Sequence, residues 1–136
     1  MSKALGEQAE LQFYVKSYEL GFIVSKPFGD NASYDFIVDW GGKLSRIQVK
    51  STAIKQIKRC DKYRISLCRG HDRRTYAVGE IDFVVAFIHG EKTWYVIPNA
   101  KTQGRKTLGL YPHRSALRFS NCGAFEKYKE LWSQLQ

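Results

Sequence analysis

The sequence predicts an α/β or α+β sandwich around a mixed β-sheet. Three features lead there: an apolar helical stripe at the front, a Gly-Gly turn between two strand-like runs, and an apolar run over 82–88 of the kind found in mid-sheet. The 136 residues, 43% hydrophobic and 14% aromatic, carry enough apolar surface for one core, so a single domain over 1–136 is expected.

The elements follow in order. Ser2 to Leu20 reads as a helix, with Leu5, Ala9, Phe13 and Leu20 close to one stripe and Leu11, Val15 and Tyr18 widening it. Gly21 is the natural stop, because glycine adopts the left-handed conformation that ends many helices. A short strand over Phe22 to Ser25 leads into a loop holding Pro27, Gly29, Asp30 and Asn31. Runs Tyr34 to Trp40 and Lys43 to Ser51 flank Gly41-Gly42, a favoured two-residue hairpin turn. Tyr63 to Cys68, Asp82 to Ile88 and Trp94 to Ile97 are further strands, the last two joined by the turn His89 to Lys92. Lys101 to Gly109 reads as a basic loop. A final helix from about Ala124 to Leu135 is expected from the stripe Phe125, Tyr128, Trp132 and Leu135.

Charge is the informative total. Lys and Arg number 22 against 13 Asp and Glu, a net charge of +9, and residues 43–74 hold eleven of the basic residues with only Asp61 and Asp72 opposing them. The rest of the chain is balanced, so the whole excess sits in one contiguous third, which points to a polyanion partner. Cys60, Cys68 and Cys122 show neither a C-x-x-C spacing nor an even count, and His71, His89 and His113 lack a helical metal-ligand partner; no disulfide framework or zinc site is encoded. No run approaches the roughly 20 apolar residues of a membrane span, and the opening residues lack the apolar core of a signal peptide, so a cytoplasmic location is expected.

The hairpin carries the chemistry. With Gly41-Gly42 as its turn, Trp40 pairs with Lys43 and Asp35 falls opposite Gln48; Lys50, two residues on, shares their face. Phe36, Val38, Ile47 and Val49 occupy the other face and pin the register, since a one-residue slip would bury the polar trio. A carboxylate beside a lysine suits phosphodiester hydrolysis. The carboxylate holds a hard divalent cation such as Mg2+, and the ammonium orients the attacking water and offsets transition-state charge. Gln48 can offer a neutral oxygen to the ion or its waters, and the Val49 backbone carbonyl is near enough to be a ligand.

Gly6-Glu7-Gln8-Ala9-Glu10, Tyr34-Asp35-Phe36-Ile37-Val38 and Ile47-Gln48-Val49-Lys50-Ser51 together resemble the signature of PD-(D/E)XK nucleases. The likeness is strongest to the small branch that includes bacterial group I intron-encoded homing endonucleases, and more distant to archaeal Holliday junction resolvases. It implies a restriction-endonuclease-like core, a central mixed β-sheet flanked by helices. It also implies a helix glutamate joining Asp35 and Lys50; that residue falls on Glu10, with Glu7 the weaker candidate. Tyr34 replaces the motif's proline, and Gln48 replaces the usual acid, so metal affinity should rest more heavily on Asp35 and Glu10.

The remaining basic residues fall in turns, where backbone and base contacts to double-stranded DNA are expected: Lys55, Lys58, Arg59, Arg69, His71, Arg73, Arg74, Lys101, Arg105 and Lys106. One small domain spans few base pairs, so a homo-oligomer, dimer or tetramer, is expected. The leading expectation is a sequence-specific, Mg2+-dependent homing-type DNA endonuclease. A junction resolvase would be separated from it by four-way junction substrates, and a non-catalytic DNA-binding module by the absence of cleavage in any divalent metal.

Overall fold

The computed structural model describes residues 3–53, 55–57, 62–69, 74–113 and 123–136. Helix α1, Lys3–Glu19, closes at Gly21, whose φ of +81° lets the Phe22 amide donate back to the Ser17 carbonyl at 3.0 Å. Its buried side is narrower than the sequence pattern suggests. Ala9, Phe13 and Ser17 are buried, whereas Leu11, Val15 and Tyr18 stand 65%, 56% and 86% exposed on the opposite pole. Apolar residues therefore line both sides of this helix, and among the described residues only one side is packed in a core.

The strands are β1 (Ile23–Ser25), β2 (Phe36–Trp40), β3 (Lys43–Thr52), β4 (Lys55–Ile57), β5 (Lys62–Ser66), β6 (Cys68–Arg69), β7 (Arg74–Thr75), β8 (Phe83–Ile88), β9 (Thr93–Pro98) and β10 (Thr107–Leu110). The central sheet runs β1-β2-β3-β8-β9 and is mixed, because β3 and β8 pair in parallel while the other neighbours are antiparallel. The β2–β3 register is the one the turn rule gives, from Trp40 opposite Lys43 to Phe36 opposite Ile47. Gly41 and Gly42 take φ of +58° and +91°, the conformation that a tight turn of this twist demands.

Strand β8 is buried on both faces, as its apolar run predicts. Val85 and Phe87 join Phe36, Val38, Ile47 and Val49 under α1, whereas Val84, Ala86 and Ile88 join a second core with Tyr63, Ile65, Leu108 and Leu110. Each large buried side chain contributes roughly 1.5–3 kcal/mol. A register slip that exposed Phe36, Val38, Ile47 and Val49 would thus cost about as much as a domain's whole net stability.

The layer opposite α1 is a small antiparallel sheet, β10-β5-β4, rather than another helix. Two expectations are corrected here. The stretch read as a basic loop ends in β10, whose alternating Leu108 and Leu110 are buried against β5. The final helix is absent: Glu126–Tyr128 and Trp132–Leu135 form separate 3-10 turns. Between them Lys129 bridges Tyr95, and Glu130, at φ +53°, donates its amide to the Trp94 carbonyl at 2.8 Å. Pairing to the sheet edge outcompetes helical continuation, and the stripe splits: Phe125 and Tyr128 enter one core, Trp132 and Leu135 the other. No described helix is long and apolar enough to cross a membrane.

Candidate active site

The hairpin brings Asp35, Gln48 and Lys50 together at one end of one face. Asp35 sits just before β2; its amide donates to the Ile47 carbonyl at 2.8 Å, which extends the ladder by one step. Its Oδ2 accepts from the Val49 amide and from Gln48 Nε2, both at 2.9 Å. The Gln48 nitrogen, rather than its carbonyl oxygen, therefore faces Asp35, with the Val49 carbonyl 3.5 Å from the same nitrogen. The glutamine acts here as a neutral donor that fixes the carboxylate.

Burial drives the electrostatics. Asp35 is pushed up from 3.8 to about 6, first by desolvation, which outweighs the Val49 amide, and further by the nearby Glu10 carboxylate; Lys50 and Lys26 pull it back. Lys50 is held below the ordinary lysine range, again first by burial. Its ammonium donates to the Cys68 carbonyl at 2.8 Å and lies 5.6 Å from the centre of the Tyr76 ring. Tyr76 itself is pushed up to about 12 by burial and then by Asp35, so its hydroxyl stays protonated.

Glu10 reaches this end of the sheet from α1 and is ion-paired through Oε1 to Lys26 at 3.2 Å. Lys26 also lies 5.0 Å above the Phe36 ring. It lines two adjoining depressions: one of about 330 Å³ bordered by Pro27, Asp30, Tyr34 and Asp35, and one of about 230 Å³ bordered by Glu7, Glu10 and Tyr14. Asp35 is thus reached from an open cleft.

The donor set fits a hard divalent cation. Asp35 Oδ1 and Glu10 Oε2 accept no hydrogen bond among the described residues, which leaves one oxygen of each carboxylate available to a cation. Among the described residues no cluster of three or more His, Cys, Asp or Glu side chains could hold a metal. An ion here would rest on two carboxylates and a backbone oxygen, which suits one that keeps several waters.

The expected DNA contacts divide. Arg74, Lys101, Arg105 and Lys106 are exposed, Arg105 over the Phe125 ring at 5.1 Å. Arg69 is instead engaged within the chain, with Glu80 and Ser33. Lys58, Arg59, His71 and Arg73 lie outside the described residues, as do Cys60 and Cys122, and Lys55 is described only as backbone in β4. Much of the basic third is used internally: Lys43 donates to the Gln134 and Gln136 carbonyls, and Arg46 forks onto Asp82 with Nη2–Oδ1 and Nε–Oδ2 separations of 3.0 and 3.1 Å. Sequence reasoning missed Lys26, Tyr76 and the Cys68 carbonyl; nothing in local spacing marks them, because each meets the hairpin through tertiary packing.

Comparison with known proteins speaks to family and fold. A family model described as PD-(D/E)XK endonuclease matches residues 1–121. No curated protein sequence matches the chain. The solved structure of a bacterial homing endonuclease, I-Ssp6803I, is similar to it with a TM-score of 0.77 and 26% identity, over 98% of this chain and 91% of that one. The shared architecture is restriction-endonuclease-like, a mixed central sheet with a helix packed on it.

Proposed function

Because the chain belongs to the PD-(D/E)XK endonuclease family, we propose that it is a sequence-specific, Mg2+-dependent endonuclease of the homing type. It hydrolyses phosphodiester bonds in double-stranded DNA, acting in the cytoplasm as a homo-oligomer. The observation that carries this reading is the convergence of Asp35, Gln48 and Lys50 on one hairpin face, with Asp35 lining an open cleft and raised to about 6 beside Glu10.

In this reading Asp35, Glu10 and the Val49 carbonyl hold the ion, and Gln48 locks Asp35 through its amide nitrogen. When bound, Mg2+ supplies a water of lowered pKa and positive charge facing the scissile phosphate. Lys50 keeps one ammonium hydrogen on the Cys68 carbonyl and turns the others toward the attacking water and the charge growing on phosphate. The exposed Arg74, Lys101, Arg105 and Lys106, with Lys55, Lys58, Arg59, His71 and Arg73, supply phosphate and base contacts. The exposed Leu11, Val15 and Tyr18 support oligomerisation, since a contiguous apolar helix pole on a protein surface favours a protein partner. Whether that oligomer is a dimer or a tetramer is read by sedimentation on cleavable DNA.

The test is to incubate the protein with a supercoiled plasmid pool carrying a randomised insert, with Mg2+ or with a chelator, and to sequence the ends. Recurrent cuts at one consensus, seen only with the cation, are expected. Binding without cleavage in any divalent metal would leave a DNA-binding module, and selective cutting of four-way junctions would leave a resolvase.

A further inference from the structure

We propose that Arg69 is a positioning residue for Lys50 rather than a DNA contact: through Glu80, Ser33 and Tyr76 it fixes the peptide whose Cys68 carbonyl holds the Lys50 ammonium. The inference rests on the endonuclease reading for its kinetic consequence and on geometry for its placement. Arg69 Nη1 donates to Glu80 Oε2 and, at 3.0 Å, to Ser33 Oγ. Its guanidinium lies 5.5 Å from the Tyr76 ring centre, and Lys50 Nζ lies 5.6 Å from the same ring. Both cations therefore share one aromatic surface, and the residue preceding Arg69 provides the Lys50 acceptor at 2.8 Å.

The local backbone cannot hold this arrangement unaided. Strands β6 and β7 pair over only Cys68 with Thr75 and Arg69 with Arg74, and a ribbon that short has little stability of its own. On the N-terminal side Cys68 is tied down by the Leu67 amide on the Lys106 carbonyl at 2.8 Å. On the other side of the Cys68–Arg69 peptide, the Arg69 side chain is the anchor. Glu80 is a fixed partner, since its Oε1 accepts the Ala77 amide at 3.1 Å and its carboxyl is held below the ordinary range by that amide, by Ser33 and by Arg69. Ser33 stands two residues before Asp35, so one guanidinium ties the segment that delivers the carboxylate to the one that holds the ammonium. A guanidinium paired in this way offers little net charge to a phosphate.

Arg69→Lys and Glu80→Gln test the inference from opposite partners. Lysine keeps the charge a phosphate contact would need but is shorter and lacks the planar group that lies against the Tyr76 ring while bonding Glu80 and Ser33. Glu80→Gln leaves every basic residue in place. Single-turnover cleavage at saturating concentrations of a duplex selected from the plasmid pool is compared with Kd, its salt dependence, and backbone amide exchange at Cys68 and Arg69. Both variants are expected to slow cleavage about 10–100-fold with Kd and salt slope unchanged. Amide exchange at Cys68 and Arg69 should speed up in both, because the peptide loses its anchor. Arg69→Lys cleaving at the wild-type rate would overturn the inference. So would an Arg69→Ala protein that cuts normally at saturation but binds with a salt slope shallower by about 0.9. If the wild type itself fails to cleave, the endonuclease reading fails, and amide exchange at Cys68 and Arg69 alone then decides the positioning: unchanged exchange in both variants refutes it.

Discussion

Asp35 and Lys50 lie on one face of one hairpin, yet they are held in different ways. The partners of Asp35 are its hairpin neighbours, the Ile47 carbonyl, the Val49 amide and Gln48. Those of Lys50, the Cys68 carbonyl and the Tyr76 ring, come from the chain that crosses between β3 and β8. Burial acts on both, raising the carboxylate to about 6 and lowering the ammonium. The hydrogen bonds of Asp35 are complete once two strands pair, whereas the ammonium end waits for the crossover to pack. A site of two opposite charges thus has one end set by local pairing and one set by long-range assembly.

The largest break in this comparison is Lys50→Ala. Cleavage should fall by about 10²–10⁴-fold while DNA affinity stays near wild type, because one of many phosphate-facing charges is lost but the water-orienting group is removed. Equal losses of binding and cleavage, in filter-binding and single-turnover assays, would make Lys50 a surface contact.

Asp35→Asn comes next and has two readouts. Asp35 binds its proton more tightly in the folded state, at about 6 against 3.8, so its contribution is favourable in acid and is lost as pH rises through that window. At neutral pH the buried charge costs roughly 3 kcal/mol in the metal-free protein. The asparagine can still accept both hydrogen bonds on its oxygen. The variant should therefore lose cleavage yet gain about 1–3 kcal/mol of stability without metal, the gain shrinking below pH 6. Mg2+ should raise the melting temperature of the wild type and not of the variant. A metal-free variant no more stable than wild type at neutral pH would show that Asp35 carries no such penalty.

The smallest effects sharpen the carboxylate end alone. Gln48→Ala deletes one of two hydrogen bonds on Asp35 Oδ2 and should slow cleavage about tenfold. Gln48→Glu exchanges the neutral donor for a second carboxylate. Asp35 should then titrate higher, metal-free stability at neutral pH should drop, and Mg2+ should restore it with cleavage still measurable. Activity gained only in Gln48→Glu would mark the wild type as a degenerate enzyme, and a wild type no faster than Gln48→Ala would remove Gln48 from the site.

What was legible in the sequence follows the same division. The hairpin register, the two-sided burial of β8 and the Gly21 stop each rest on a local rule, and the structure has all three. The outer pole of α1 was misread because periodicity cannot tell an apolar residue that meets the sheet from one that meets solvent. Phe125, Tyr128, Trp132 and Leu135 are all buried as expected, but pairing to Trp94 and Tyr95 splits them between two cores, which no helical wheel contains. Charge alone places Arg69 among the DNA contacts; its engagement with Glu80, eleven positions away in a turn, is a tertiary fact.

The parallel pairing of β3 with β8 requires a crossover, a role usually filled by a helix and filled here by strands β4 to β7 between Thr52 and Phe83. Many of the residues proposed to touch DNA lie on that crossover, which is continuous with two core strands, pairs with β10 through β5 and packs into the second core. A graft from a relative with another target would carry those contacts and keep the hairpin bonds of Asp35 to Gln48 and Val49. The same graft would arrive with its own version of the Cys68 carbonyl and the Tyr76 ring, and so with its own seat for the Lys50 ammonium. Retargeting by exchange therefore has two fixed points inside the exchanged piece, and a donor that lacks them would yield a protein that finds its site and leaves it uncut.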